Sequence, residues 1–361
     1  YSKVVAREFS IISAENALKM THTEPKAGVF NFKQGDAIVA FAQQHNISIR
    51  GHNLVWCAHN PTWVAQYAKT ATAMEMNSVM EATITASATH FKGKVYSWDV
   101  VNEAIVDVPK VRECQNWTCA LKGPLQTGGA GAVDWTIGGL DYIQSAFKCA
   151  HAADPAAKLF YNDYAIHNLS PKLDYVLMML QDLLADHVPL HGIGIQMHVD
   201  NSNPLKAWNA TAFQIVLHRF AALGLEIHLT ELDLPPTDPI YTNLPALDAL
   251  AAQGDLYAEV LAQCLAVPAC KSFEMWGVTD AHSDWGVTGV RPPGVFYYDE
   301  NYEPKTSRTD VADMLLNPSP VPPLPPPPPP TTTSSTHKHN PQCTCGADNP
   351  CVPAFGKCGG Q

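Results

Sequence analysis

Short apolar runs that look like β-strands alternate with longer amphipathic runs over some 310 residues, and this alternation constrains the chain more than any other feature. The strand-like runs are EFSIIS, ISIRGHNLVW, KVYSWDVV, AKLFYND, HGIGIQMH, LEIHLTEL and KSFEMWGV. A helical pattern follows each: GDAIVAFAQQH, TAMEMNSVMEATITASATHF, WTIGGLDYIQSAFKCAHAA, PKLDYVLMMLQDLLADH, TAFQIVLHRFAALG, LDALAAQGDLYAEVLAQCL and SRTDVADMLL. Strands that alternate with helices pair in parallel, with the helices as crossovers. The strand-like runs number seven, and the opening YSKVVAREF reads as the end of a helix leading into the first. A closed (β/α)8 barrel needs eight strands. The fold class expected is therefore α/β, a (β/α)8 TIM barrel whose first β-strand is missing ahead of Tyr1. An open doubly wound sheet is the second reading, but no Gly-rich phosphate loop follows any strand.

The pattern stops at residue 316. NPSPVPPLPPPPPPTTTSST is extended polyproline II followed by a Ser/Thr run and cannot bury a core. The expected organisation is a barrel over residues 1–316, a linker over 317–336 and a Cys-rich stub over 337–361. Such a stub is too small for an apolar core and needs disulfides to hold it. Of ten cysteines, Cys343, Cys345, Cys351 and Cys358 fall in the stub. Cys264 and Cys270 make one close pair upstream, and Cys114 and Cys119 another. Close pairs and a dense tail fit an oxidising compartment, so a secreted, extracellular protein is expected. Sequons at Asn46, Asn116, Asn168 and Asn209 are compatible with that. Zinc is the other reading of the tail, although it holds no CxxC pair of ribbon type. A net charge of −11 argues against nucleic acid or an anionic membrane as partner. No apolar run approaches the roughly 20 residues of a membrane span. We expect a monomer.

In a barrel of this kind chemistry sits at the carboxyl ends of the strands. The first strand leads into Glu15, Asn16 and Lys19; the next carries His52 and Trp56. WDVV ends in Asn102 and Glu103, and LFY in Asn162, Asp163 and Tyr164. GIGI ends in Gln196 and His198, EIHLT in Glu231 and Asp233, and FEM in Trp276, with Asp280 and Trp285 beyond. A single polar residue at a barrel rim is an ordinary satisfied group. Seven strands that all deliver carboxylates, amides, imidazoles and indoles at one end describe a cleft. No Gly-Lys phosphate cradle or serine elbow is present. Indole faces stack on pyranose rings and amides bond hydroxyls, so the cleft suits a sugar polymer. Glu103 and Glu231 could then be the two carboxylates of a glycosidase, one protonated to donate and one ionised to attack. Asn102 could bond the 2-hydroxyl at the −1 position. Asp233 shares a strand face with Glu231, and His198 could bridge the two and keep Glu231 ionised, which would set the two pKa values apart.

The motifs WDVVNEA, SAENALK, RGHNLVW, YNDY, GIGIQMH, LTELD and WGVTD resemble those of glycoside hydrolase family 10, the endo-β-1,4-xylanases, over roughly residues 2–316. The resemblance implies a (β/α)8 barrel, hydrolysis of xylan or xylo-oligosaccharides with retention of configuration, and no cofactor or metal. It implies Glu103 as acid/base and Glu231 as nucleophile. It implies Glu15, Asn16 and Lys19 at the −2 and −1 sugars, and His52, Trp56, Asn102, Gln196 and His198 around −1. Trp276 and Trp285 would be its aromatic walls and Tyr164 would lie on the leaving-group side. A Cys264–Cys270 disulfide also fits the family.

The departures are local. Cys57, Ala58 and His59 replace the usual His-Ser-Gln, so His59 stands where a Gln contacts the −2 sugar. Met20 follows Lys19 where an aromatic residue is common, and Ala165 replaces a frequent Asn. DAHSDWG carries one extra residue, with Gly286 in place of a basic one. The ending GKCGGQ resembles the opening of small fungal-type cellulose-binding modules, which would make cellulose a further partner; a ligand-free spacer is the other reading. Two alternatives stay open for the barrel: another β-1,4-glycanase such as a cellulase or mannanase, or a wall-binding protein that hydrolyses poorly. Turnover on xylan against carboxymethylcellulose separates the first, and binding without release of reducing ends marks the second.

Overall fold

A computed structural model describes residues 1–107, 116–122, 131–235, 237–282, 294–318 and 321. The linker beyond residue 321, the stub with its four cysteines, Cys114 and Trp285 lie outside the described residues.

The chain opens on α1 (Ser2–Glu8), which leads into β1 (Ile11–Ser13). Then come α2 (Met20–Thr23), α3 (Lys33–Gln44), β2 (Ser48–Gly51) and β3 (Val55–Trp56). After α4 (Thr62–Tyr67) and α5 (Ala73–His90) the chain enters β4 (Ser97–Asn102). From there it alternates through α6 (Tyr142–Ala153), β5 (Lys158–Asp163), α7 (Pro171–Ala185), β6 (Gly192–Ile195) and α8 (Ala210–Ala222). It ends with β7 (Glu226–Leu232), α9 (Ala246–Leu265), β8 (Cys270–Met275) and α10 (Thr306–Leu316). Every named strand pair is parallel, in the order β1-β2-β4-β5-β6-β7-β8, with β3 beside β4. This is the (β/α)8 arrangement that the alternation of runs predicts.

Two sequence expectations need correction. ISIRGHNLVW is not a single strand. It breaks between β2 and β3, where His52 and Asn53 leave the ladder and turn their side chains onto Asp99 and each other. WTIGGLDYIQSAFKCAHAA is not a single helix either. A 3-10 turn at Trp135–Gly138 stops at Gly139, whose φ of 115° no right-handed helix accepts, and α6 starts afresh.

The barrel is open at one seam. Among the described residues β8 does not pair with β1, and a cavity of about 970 Å³ lies between them. Among the described residues, three buried polar atoms on its walls have no hydrogen-bond partner: Ser13 Oγ, Glu274 Oε2 and Tyr297 Oη.

Glu274 is 6% exposed. Burial pushes its carboxyl up from the ordinary 4.5 to about 7, because the nearby Arg50 charge and the Ser272 hydroxyl offset only part of the desolvation. A raised acid favours the fold while it is protonated, and that contribution is lost as pH rises from about 4.5 through about 7. Glu274→Gln is therefore expected to melt like the wild type near pH 4 and above it near pH 8, as read by thermal unfolding across pH.

Candidate active site

Parallel register brings the polar strand ends together. Asn102 lies opposite Asn162 across β4 and β5, and Asn162 opposite Gly194 across β5 and β6. Just past these pairs the Glu103 N–H donates to Asn162 O (2.9 Å) and the Gln196 N–H to Asp163 O (3.0 Å). His198 bridges to Asp233 beyond β7. Adjacent strand residues normally face opposite sides. Asn102 and Glu103 nevertheless both face the cleft, because Glu103 takes a left-handed φ of 55°. Glu15, His59, Ala165 and Met197 share that conformation just beyond other strand ends. Non-glycine residues held there mark sites whose surroundings over-determine the backbone. The turn aims both side chains at one point.

The two glutamates are joined by amides. Asn162 Nδ2 donates to Glu231 Oε1 (2.8 Å) and to Asn102 Oδ1 (2.8 Å), and Asn162 Oδ1 accepts from Thr230 Oγ1 (2.8 Å). Gln196 Nε2 donates to Glu103 Oε1 (3.0 Å) and Asn102 Nδ2 donates to the same oxygen (3.2 Å). Trp56 Nε1 donates to Glu103 Oε2 (3.0 Å). Gly194 makes the space for this hub: a Cβ there would stand 2.2 Å from Asn162 Oδ1 and 2.7 Å from Arg50 Nη2.

His198 joins Glu231 to Asp233 as expected. Its Nε2 is 3.2 Å from Glu231 Oε2 and its Nδ1 2.8 Å from Asp233 Oδ1. Burial opposes the imidazolium, but the two carboxylates outweigh it and hold His198 up to about 10. It is therefore a cation at neutral pH. On the other flank His52 Nδ1 lies 2.9 Å from Asp99 Oδ2 and 4.0 Å from Glu231 Oε1.

Glu103 departs from the expectation that it stands protonated. Burial raises its pKa, yet Lys122, the Gln196 amide, Lys172 and the Trp56 N–H together bring it below the ordinary value. Lys122 Nζ is 3.5 Å from Glu103 Oε2. No sequence motif pointed to Lys122, which lies in a loop after a 3-10 turn, Trp117–Ala120. It and Lys172 also flank Tyr164, at 4.8 Å and 3.6 Å from the ring centroid. The Tyr164 hydroxyl donates to Asp107 Oδ2 (2.5 Å).

The indole of Trp56 stacks on His59 with centroids 5.0 Å apart and planes 10° from parallel. Burial and the neighbouring Lys19 charge keep His59 below its ordinary pKa, so at neutral pH the pair is one flat uncharged surface. Lys19 Nζ bonds Asn16 Oδ1 (2.8 Å) and sits 5.0 Å from Trp56 and 5.8 Å from Trp276. Asn16 in turn donates to Glu15 Oε1 (3.4 Å). The expected site residues thus converge, save Trp285, which is not described. Of the two departures on these elements, Met20 and Ala165 are both buried and present no polar atom to the cleft.

Cys264 and Cys270 form the expected disulfide. Of the expected Cys114–Cys119 pair, Cys114 lies outside the described residues. Asn116 caps the 3-10 turn through Thr118 N (3.1 Å) and leaves Cys119 as a free, exposed thiol. Among the described residues no group of three or more His, Cys, Asp or Glu side chains could hold a metal ion.

The model of glycosyl hydrolase family 10 matches residues 1–314. The chain belongs to glycosyl hydrolase family 10. It is 33% identical over 319 residues to endo-1,4-beta-xylanase 1 of Humicola insolens, covering 87% of this chain and 68% of that protein. The native xylanase 10B of Thermotoga maritima superposes with a TM-score of 0.73 at 33% identity, over 88% of this chain and 89% of that one. Xylanase 10B of Thermotoga petrophila RKU-1, solved with xylobiose, gives 0.73 at 33% identity over 88% of each chain.

Asn162 stood at a strand end in the sequence without a role, and the structure makes it the link between the glutamates of this family 10 site. Asn162→Leu keeps the branch at Cγ and the number of side-chain heavy atoms and removes both donors. It is expected to lower unfolding free energy by about 1.5–3 kcal/mol, the range for a hydrogen bond to a charged group, and to cut glycosidase turnover about tenfold or more. Urea unfolding and initial rates on an aryl glycoside check both.

Proposed function

We propose that this family 10 enzyme is a retaining endo-β-1,4-xylanase in which Glu231 is the nucleophile and Glu103 the acid/base. The observation that carries the reading is the paired grip on the glutamates. Gln196 and His198, two residues apart on one strand end, each hold one of the two carboxylates, and Asn162 and Asn102 link them. Asn162 donates to Glu231 and to Asn102, and Asn102 donates to Glu103, so both groups border one groove.

In the first step Glu231 attacks the anomeric carbon while Glu103 gives its proton to the leaving glycosidic oxygen. A glycosyl ester to Glu231 results. In the second step the Glu103 carboxylate takes a proton from water, the oxygen attacks the same carbon and Glu231 departs, restoring both groups. Two inversions retain the configuration. His198, charged, holds Glu231 Oε2 through its Nε2. The Trp56–His59 plane, Lys19, Asn16 and Glu15 hold the sugars on the non-reducing side, with Trp276 as a wall. Trp285 would add a second wall. The Cys264–Cys270 disulfide supports export to an oxidising compartment.

Incubation with unbranched xylan, following product anomers by NMR, tests substrate, reaction and stereochemistry together. The expected first product is the β-anomer; the α-anomer, or faster release from carboxymethylcellulose, contradicts the reading. Glu103→Gln should lose about 10²–10⁴-fold on substrates with poor leaving groups, the usual share of general acid catalysis, and much less on activated aryl xylosides. Glu231→Gln should lose activity on both, because no ester can form.

A further inference from the structure

The loop that carries Lys122 is built to hold it. Lys122 N donates to Ala104 O (2.7 Å) and Val106 N to Ala120 O (2.9 Å), around an antiparallel bridge between Ile105 and Leu121. Trp117 Nε1 anchors the same loop to Asp182 on α7 (2.8 Å). The Lys122 side chain is only 9% exposed. A buried ammonium costs several kcal/mol unless it is paired. Its pairings are Glu103 Oε2 at 3.5 Å and the Tyr164 hydroxyl at 3.4 Å.

The other charges nearby are committed to each other. Lys172 bonds Asp163 Oδ1 (2.8 Å) and Asp107 Oδ1 (3.0 Å), and the second oxygen of Asp107 accepts from Tyr164. Around Glu103 the titratable neighbours are Lys122, Lys172, Asp163, Tyr164, Cys57 and His59. Among the described residues Lys122 is the cation within 4 Å of the Glu103 carboxylate.

We propose that Lys122 is a positioning residue that pairs with the carboxylate form of Glu103, favouring the half of the cycle in which Glu103 takes a proton over the half in which it gives one. The proposal rests on Glu103 as acid/base. Glu103 has to be protonated for glycosylation, so the cation draws that step's alkaline limb to lower pH. In the second half the same cation holds the carboxylate in place as the base that activates water. An opposite charge at this range lowers a carboxyl pKa by about one unit or more.

The test is the pH profile of kcat/KM on an unbranched xylo-oligosaccharide for wild type, Lys122→Met and Lys122→Arg. Lys122→Met is expected to move the alkaline limb up by about one pH unit, with the acid limb unmoved, and to lower kcat on an activated aryl xylobioside, where deglycosylation limits. Lys122→Arg is expected to keep the wild-type limb. An unmoved alkaline limb in Lys122→Met, both limbs moving together, or an arginine variant that behaves like methionine would overturn the proposal. If Lys122→Met fails to fold, Lys122→Gln, which is shorter and polar, is measured in its place. Glu103→Gln on the same two substrates runs alongside. Equal losses on both would reject the acid/base role itself, whatever Lys122 does.

Discussion

An arginine in the middle of a barrel needs partners from every side, and Arg50 has them. It is fully buried, as is Asp99, whose two carboxylate oxygens take its guanidinium as a fork. The face of Phe160 lies 4.9 Å away, and His228 Nδ1 pairs with Nη1 at 2.8 Å. Losing one partner of such a pair leaves a bare charge in a medium that cannot solvate it. The pair therefore locks β2 to β4, and Asp99 passes the constraint to His52, which stands beside Glu231. The chemistry at the rim is suspended from this ion pair below it.

Above that pair the site divides electrostatically. Glu231 sits among His198, His52 and the Asn162 amide, with Asp233 compensating the imidazolium. Glu103 sits among neutral donors from Asn102, Gln196 and Trp56 and one ammonium. Its neighbours thus favour the charged form of Glu103. For Glu103 to serve as the proposed acid, its proton has to come from solution pH and from the arriving sugar, which desolvates the group further and favours its neutral form.

Residues at strand ends were readable because a parallel barrel gathers all its carboxyl strand ends on one face. Asn102, Glu103, Gln196, His198, Glu231 and Asp233 interrupt apolar runs where a run should stop, and all six meet in the structure. Arg50 and Asp99 escaped notice because they lie mid-strand, where a charge looks like an outward-facing residue. Lys122 escaped because a loop has no period; its place depends on a bridge between Ile105 and Leu121 that no spacing announces. The downward shift of Glu103 was likewise invisible, since it depends on that lysine. The break after β2 and the restart at α6 were hidden by apolar patterns that run straight through both.

β4, β5, β6 and β7, which carry the two glutamates and their amides, form an unbroken hydrogen-bonded arc. Glu15, Asn16 and Lys19 follow β1 and Trp276 follows β8, outside that arc. Grip and cutting edge thus hang on different strands, so a substitution on β1 or β8 would register first in KM and one on the arc in kcat.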